Sequence, residues 1–182
     1  QLVEELADLG TVQSMVISGM GDPLVHPHIY EMIRKAADQG WAITVLSNLL
    51  AADIDQLCDS GVTTVLAGVQ GSTPEAHTAF HPGWNESHFF TLCRYLRRLN
   101  NAGISTKHVQ VINRDTAPEL IEMVRFGRLF GAARVNFKLA SLYGGTEDCS
   151  ITTQQREWLK QDGIPRAKSL ADNLKVNTNL DL

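Results

Sequence analysis

The chain has 182 residues, of which 43% are hydrophobic and 20% are charged, and this length and composition are typical of one globular domain. The 16 lysines and arginines stand against 20 acidic residues, giving a net charge of −4. No basic block could follow a phosphate backbone, which argues against nucleic acid as a partner. The sequence also lacks a membrane-spanning apolar run and a signal peptide, so we expect a cytoplasmic protein without a membrane contact.

The first predicted elements are a helix and a strand. Leucines recur at near-helical spacing over residues 1–9, and residues 13–18 form a short apolar run closed by glycines, which favours a buried strand. A second helix is expected with Pro27 at its first position and Gly40 just after its last turn. Residues 42–46 form the next predicted strand.

The same alternation continues along the chain. A helix near residues 51–60 leads to a strand at 63–69, and a loop rich in Gly, Ser, Pro and His follows. The next helix, near 86–101, carries one apolar stripe, and a strand is expected at 106–112.

Two capping boxes mark the last predicted helices. Thr116 and Glu119 have the spacing that opens a helix, and a strand at 133–139 follows it. Thr152 and Gln155 have the same spacing and open a helix that runs through the next turn.

Five strand–helix alternations with short connections indicate an α/β fold with a parallel sheet. In such a fold ligands bind at the carboxyl ends of the strands. The candidate segments at these ends are 18–23, 47–48, 70–73, 113–114 and 138–143.

The segment from Ser18 to Pro27, with the sequence SGMGDPLVHP, resembles the GGEP motif of the radical S-adenosylmethionine (radical SAM) superfamily. It has the longer GMGEP form, with Asp22 in place of glutamate. Residues 44–48 resemble the third strand of that family with its terminal Thr-Asn, and residues 65–77 and 109–113 are similar to its fourth and fifth strands. The resemblance covers roughly residues 6–145 and depends on the order and spacing of all four segments.

The resemblance implies a partial (βα)6 TIM-like barrel whose first βα unit is incomplete or missing. Residues 1–145 would form this core, and residues 146–182 a C-terminal helical extension that begins a further region. The implied activity is reductive cleavage of S-adenosylmethionine to a 5′-deoxyadenosyl radical, which abstracts hydrogen from a substrate. That substrate would be a small molecule or a peptide, and an electron donor such as flavodoxin or ferredoxin would be a partner.

The resemblance also implies a cofactor site, although it predicts no catalytic side chain. Glycines in the first turn would let the backbone approach the methionine amino group closely or adopt positive φ. The residues assigned to the amino group are Gly19, Met20, Gly21 and Asp22. Candidates for hydrogen bonds to the cofactor's carboxylate or ribose are Asn48, Gln70, Ser72 and Asn113, and Lys138 is expected to face the same barrel mouth.

The cysteines depart from the family pattern. Radical SAM enzymes hold a [4Fe–4S] cluster through three thiolates in a CxxxCxxC loop, whereas Cys58, Cys93 and Cys149 are far apart in sequence. Either the chain begins just past that loop, with the cluster cysteines upstream of Gln1, or it is a degenerate member that lost the cluster. The helix predicted at residues 1–9 favours the first explanation.

The sequence allows three other interpretations. An inactive barrel could serve as a binding or scaffold module, and a phosphate-binding βα barrel would need a glycine-rich cradle that the last strands lack. Three histidines, at positions 77, 81 and 88, could suggest a metal site. His77 and His81 are four apart, but they lead straight into Pro82 and have no carboxylate partner, so all three are interpreted as surface or loop-packing residues.

Overall fold

The computed structural model describes residues 2–141 and 143–180. Its strands are β1 (Ser14–Ile17), β2 (Ala42–Ser47), β3 (Thr64–Gly68), β4 (Ser105–Ile112) and β5 (Arg134–Leu139). Its α-helices are α1 (Leu2–Asp8), α2 (Ile29–Ala37), α3 (Ile54–Cys58), α4 (Pro74–Phe80), α5 (Glu86–Asn101), α6 (Leu120–Leu129), α7 (Thr153–Trp158) and α8 (Ile164–Leu174). Gln1, Leu142 and residues 181–182, which belong to three of the predicted segments, lie outside the described residues.

The five strands form one sheet in the order β1-β2-β3-β4-β5, and every neighbouring pair is parallel. A helix lies between each strand and the next. The predicted α/β fold of a partial parallel barrel is therefore confirmed.

The two faces of the sheet differ in burial, since successive side chains of a strand point to opposite sides. Ile43, Val45, Val65 and Val135 point outward, are fully buried and belong to the same apolar core as residues of the helices. The alternate side chains point to the inner face of the sheet. One row of them runs across β2 to β5 and consists of Leu46, Leu66, Lys107 and Arg134. This inner face is only partly covered, so the interior of the barrel is accessible.

The segment after α8 lies beside β5. Val135 makes an isolated parallel bridge to Thr178, and the Asn179 side chain both accepts from the Phe137 N–H and donates to its carbonyl, each at 2.8 Å. The chain after α8 thus occupies the position of a sixth strand. The proposed division at residue 145 stays a prediction.

Three helix predictions need correction. Pro27 lies two residues before α2, whose N-cap is His28, and the helix expected at 51–60 is limited to α3, capped by Asp53. The loop expected after β3 contains α4, for which Thr73 caps the N-terminus and Pro74 takes the first helical position.

The capping box at Thr116 is wrong, because neither side chain caps the helix. The Thr116 hydroxyl donates to the Val111 carbonyl and accepts from the Asn113 N–H, while Glu119 bonds to Ser72. A 3₁₀ turn at Ala117–Glu119 precedes α6 instead.

The second predicted box, at Thr152 and Gln155, is present with both reciprocal hydrogen bonds. Past α7 the chain continues through a π-helical turn into α8. No helix within residues 2–141 and 143–180 is long and apolar enough to cross a membrane.

Candidate functional site

The turn after β1 is open to solvent at its glycines. A Cβ on Gly21 would meet no atom within 4 Å, and one on Gly19 would meet only the Gly21 carbonyl oxygen, at 4.0 Å. Neither glycine has a positive φ, so the second of the two reasons given for glycine at this turn does not apply. The first reason, close approach of a ligand to the backbone, stays a prediction.

The Asp22 carboxylate ties this turn to the end of β2. It accepts from the Ser47 hydroxyl at 2.8 Å, from the Asn48 N–H at 3.0 Å and from the Leu24 N–H at 2.9 Å. With these donors the half-buried carboxylate fixes the position of the glycine turn, and it caps the 3₁₀ turn at Pro23–Val25. Its oxygens therefore bond inside the chain, and the part of the turn that stays open is the backbone at the neighbouring glycines.

Leu49 has a left-handed backbone, with φ of 68°, although it is fully buried. Positive φ is uncommon for a bulky residue and costs free energy, and such strain clusters at functional sites. The Ser47 hydroxyl accepts from the Leu49 N–H at 2.8 Å, so Ser47 links the strained residue to Asp22. Sequence reasoning missed Leu49, because glycine and asparagine are the usual signals for this conformation.

Gly68 lies at the end of β3 between two predicted ligand-binding residues. A Cβ there would lie 3.7 Å from Gln70 Nε2 and 3.8 Å from Asn48 Cα. Gln70 Oε1 accepts from the Val111 N–H and Asn48 Oδ1 from the Leu50 N–H. Each side chain thus uses its oxygen internally, and neither NH₂ group has a hydrogen-bond partner among the described residues.

Ser72 and Asn113, the other two predicted ligand-binding residues, support the loops. The Ser72 N–H donates to the Glu119 carboxylate at 3.0 Å, and the Ser72 hydroxyl bonds the same oxygen. Asn113 Oδ1 accepts from the N–H groups of Asp115 and Thr116, each at 2.9 Å. Glu119 was missed as a site residue, because its spacing from Thr116 indicated a helix cap.

The structure therefore brings Asp22, Asn48 and Gln70 together at the ends of three neighbouring strands. Open backbone at the turn offers carbonyl oxygens, and two amide side chains offer N–H donors. Such a site fits a small ligand that carries both an ammonium and a carboxylate or hydroxyl group. Lys138 is in β5 beside Val111, so it lies on the inner face.

The described residues do not fit an iron–sulfur cluster. The three thiols lie on α3, on α5 and in a 3₁₀ turn at Glu147–Cys149, and no group of three or more His, Cys, Asp or Glu within residues 2–141 and 143–180 could hold a metal ion. Burial raises the pKa of the Cys93 thiol to about 11, which disfavours the thiolate that ligates iron.

The histidines after β3 form a packed group. His81 stacks on Trp84 with ring centroids 3.7 Å apart, and the centroids of His77 and His81 are 5.2 Å apart. Burial lowers the pKa of both rings to about 4, so they are neutral near pH 7. The interpretation of these residues as packing histidines agrees with this geometry.

Comparison with known proteins places the sequence in one family. Residues 1–127 match the profile of the Radical SAM superfamily. None of the curated proteins compared matches the chain.

Solved structures share the fold at low sequence identity. Streptococcus suis SuiB bound to S-adenosylmethionine is similar over 98% of this chain, with 16% identity and a TM-score of 0.72. Native anSMEcpe with bound AdoMet and Kp18Cys peptide has 11% identity and a TM-score of 0.75 over 97% of this chain. A domain of pyruvate-formate lyase-activating enzyme from Bacteroides vulgatus ATCC 8482 has 14% identity and a TM-score of 0.63, with 92% of this chain and 98% of that chain covered. The chain spans only 41% of the SuiB chain and 53% of the anSMEcpe chain.

Proposed function

The chain belongs to the radical SAM superfamily, and we propose that it provides the S-adenosylmethionine-binding strand ends of an enzyme that reductively cleaves this cofactor. Bound S-adenosylmethionine would supply a 5′-deoxyadenosyl group for hydrogen abstraction from a small-molecule or peptide substrate. The substrate would lie over the inner face of the sheet. The open Gly19–Gly21 turn, fixed by Asp22, is the observation that carries this proposal.

Each part of the site has a role in this proposal. The carbonyl groups of Gly19, Met20 and Gly21 accept hydrogen bonds from the ammonium of the methionine moiety. The turn leaves room for this group, because a Cβ on Gly21 would meet no atom of the described residues within 4 Å. The NH₂ groups of Asn48 and Gln70 donate to its carboxylate or to the ribose. Ser72 and Asn113 position the loops at the edge of the same site.

In this proposal the cluster ligands lie outside the described residues, since these hold no matching set of ligands. We propose that the chain acts as part of a larger enzyme that supplies three thiolates and docks an electron donor such as flavodoxin or ferredoxin. The small share of SuiB and anSMEcpe that the chain spans supports this view.

The test is anaerobic formation of 5′-deoxyadenosine by the larger enzyme, after its iron–sulfur content has been measured. The Gly21→Val substitution should reduce 5′-deoxyadenosine formation by about a hundredfold or more. The iron–sulfur content of the variant should equal that of the parent. Equal rates for the variant and the parent would disprove the assigned role of the turn.

The missing ligand set also supports a second candidate, an inactive barrel that binds a partner or ligand without redox chemistry. S-adenosylmethionine binding without 5′-deoxyadenosine formation, in a protein with no cluster after reconstitution with iron and sulfide, would favour this alternative.

A further inference from the structure

A cleft of about 680 Å³ lies between helices α5 and α6 in the helical layer outside the sheet. Its walls combine aromatic and basic side chains from one face of α5 with apolar side chains of α6. The principal lining residues are Phe89, Phe90, Arg94, Arg97, Phe126 and Leu129. Phe89 of α5 and Phe126 of α6 are buried and pack against each other with ring centroids 5.8 Å apart, so the cleft is a groove over this contact between the two helices.

The rim of the cleft exposes large apolar side chains. Phe90 is 58% exposed and Leu129 is 72% exposed, and the two face the cleft from opposite helices. Contiguous exposed apolar surface with a polar border marks interaction sites. Cys93 lies in the wall between them, and because burial raises its thiol pKa to about 11, it contributes a neutral surface.

The charge along the α5 side of the cleft is positive in a chain whose net charge is −4. Arg98 is paired with Asp55 at 3.1 Å, whereas Arg94 and Arg97 make no ion pair with any carboxylate of the described residues. Their guanidinium groups lie over the rings of Tyr95 and Phe130, at 5.4 and 5.5 Å from the centroids. Stacking of this kind fixes each guanidinium while leaving its N–H groups available to an acidic partner.

We propose that this cleft binds an acidic amphipathic helix of a separate protein. The lining residues of α5 run from Phe89 to Asn101, a length of about 18 Å or roughly three helical turns. A helix of that length would insert an apolar stripe between Phe90 and Leu129 and place Asp or Glu side chains against Arg94 and Arg97. The proposal does not depend on cofactor binding, because the helices that form the cleft lie on the opposite side of the sheet from the inner face. Ser72, at the edge of the cofactor site, also lines one end of the cleft, but the peptide is proposed to bind between α5 and α6.

The test uses a fluorescein-labelled helical peptide of about 15 residues, with leucines at helical spacing and glutamates beside them. Fluorescence anisotropy should show saturable binding to the chain. The double substitution Arg94→Glu and Arg97→Glu should weaken binding by about tenfold or more, and Leu129→Ala should weaken it severalfold. Circular dichroism should confirm that all variants are folded.

Two matched controls separate the cleft from general charge attraction. Arg34→Glu with Lys35→Glu makes the same change of charge on α2 and should leave binding unchanged. A peptide of identical composition with its leucines spread around the helix should bind about tenfold more weakly. Equal binding of the two peptides, or no effect of the Arg94 and Arg97 substitutions, would overturn the proposal.

The occupant itself can be tested in two ways. The larger enzyme should bind the peptide as tightly as the chain does. Failure to bind would mean that the enzyme's own residues cover the cleft, and this result would overturn the proposal. Sedimentation should show a monomer. If the parent instead forms a dimer that dissociates in the Leu129→Ala variant, the cleft is the contact site of a second copy of this chain, and the proposal is overturned.

Discussion

The Ser47 hydroxyl lies 2.8 Å from one Asp22 carboxylate oxygen and 3.0 Å from the other, and so ties the turn after β1 to the end of β2. The same hydroxyl accepts from the N–H of Leu49, whose backbone is left-handed. A single serine thus connects the glycine turn to a strained residue at the next strand end. Asp22 consequently positions the turn, and the neighbouring backbone is what faces the proposed cofactor.

The first prediction is that Asp22→Asn destabilises the chain. Asparagine keeps one acceptor oxygen, but its NH₂ group would face the N–H and O–H donors that now bond to the second carboxylate oxygen. The expected loss is about 2 kcal/mol in the free energy of unfolding, measured by urea denaturation. Asp38→Asn, at the exposed end of α2, is the matched control and should change stability by less than about 0.5 kcal/mol.

The second prediction contrasts Gly21, in the open turn after β1, with Gly71, in the loop after β3. Gly21→Val should fold normally, with a loss below about 1 kcal/mol, because the added side chain enters open space. In the larger enzyme it should nevertheless abolish most 5′-deoxyadenosine formation, whereas His26→Ala, at an exposed histidine, should retain it. A severe folding defect in Gly21→Val would contradict this explanation.

Gly71→Ala provides the contrast, since it should fold poorly. Its Cβ would lie 2.6 Å from the His77 nitrogen and 2.7 Å from the Ala76 carbonyl carbon, and backbone atoms cannot move aside cheaply. We expect a loss of about 2 kcal/mol or more in the free energy of unfolding.

The order of strands and helices could be predicted because buried runs and apolar stripes repeat with clear periods. The strand predicted at 106–112 is observed at Ser105–Ile112, and the helix predicted at 86–101 has those bounds. Helix α4 was not predicted, because seven residues are too few to show a helical period of apolar residues. Only Thr73-Pro74 indicated where it starts. Local sequence signals therefore predicted long helices better than short helices.

The site could be predicted only in part, because contacts between strand ends depend on the fold. Thr116 and Glu119 have the same spacing as Thr152 and Gln155, yet only the second pair forms a capping box. Glu119 bonds to Ser72, which is 47 residues away. Pro118 lies inside the first pair, and no proline lies inside the second, but the contact with Ser72 depends on the fold.

The third prediction tests that long-range contact. Glu119→Gln keeps one acceptor but loses the charge that strengthens both bonds to Ser72. We expect a loss of about 1–2 kcal/mol in stability. Hydrogen exchange should also become faster at residues 70–73, near the cofactor site. Glu75→Gln, an exposed carboxylate on α4, should alter neither measurement.

The last prediction concerns His108, which is 0% exposed on the outer face of β4. Neither ring nitrogen has a hydrogen-bond partner among the described residues, and Phe126 packs nearby, with centroids 5.8 Å apart. Burying an unpaired polar group costs free energy. His108→Leu should therefore be as stable as the parent near pH 7, or more stable by about 1 kcal/mol.

The same residue makes stability depend on pH. Burial lowers the pKa of His108 from 6.5 to about 4, so the unfolded chain binds more protons than the folded chain between these values. Stability is consequently lost as the pH falls from 6.5 towards 4, by up to about 1.4 kcal/mol per pH unit for one such group. Urea unfolding at about pH 7, 6 and 5 should show a shallower decline in His108→Leu than in the parent. In His108→Leu part of the loss of stability at low pH remains, because burial also lowers the pKa values of His77 and His81. His26→Leu, at an exposed position, is the control, and identical declines in the parent and His108→Leu would show that His108 is not buried as a neutral ring.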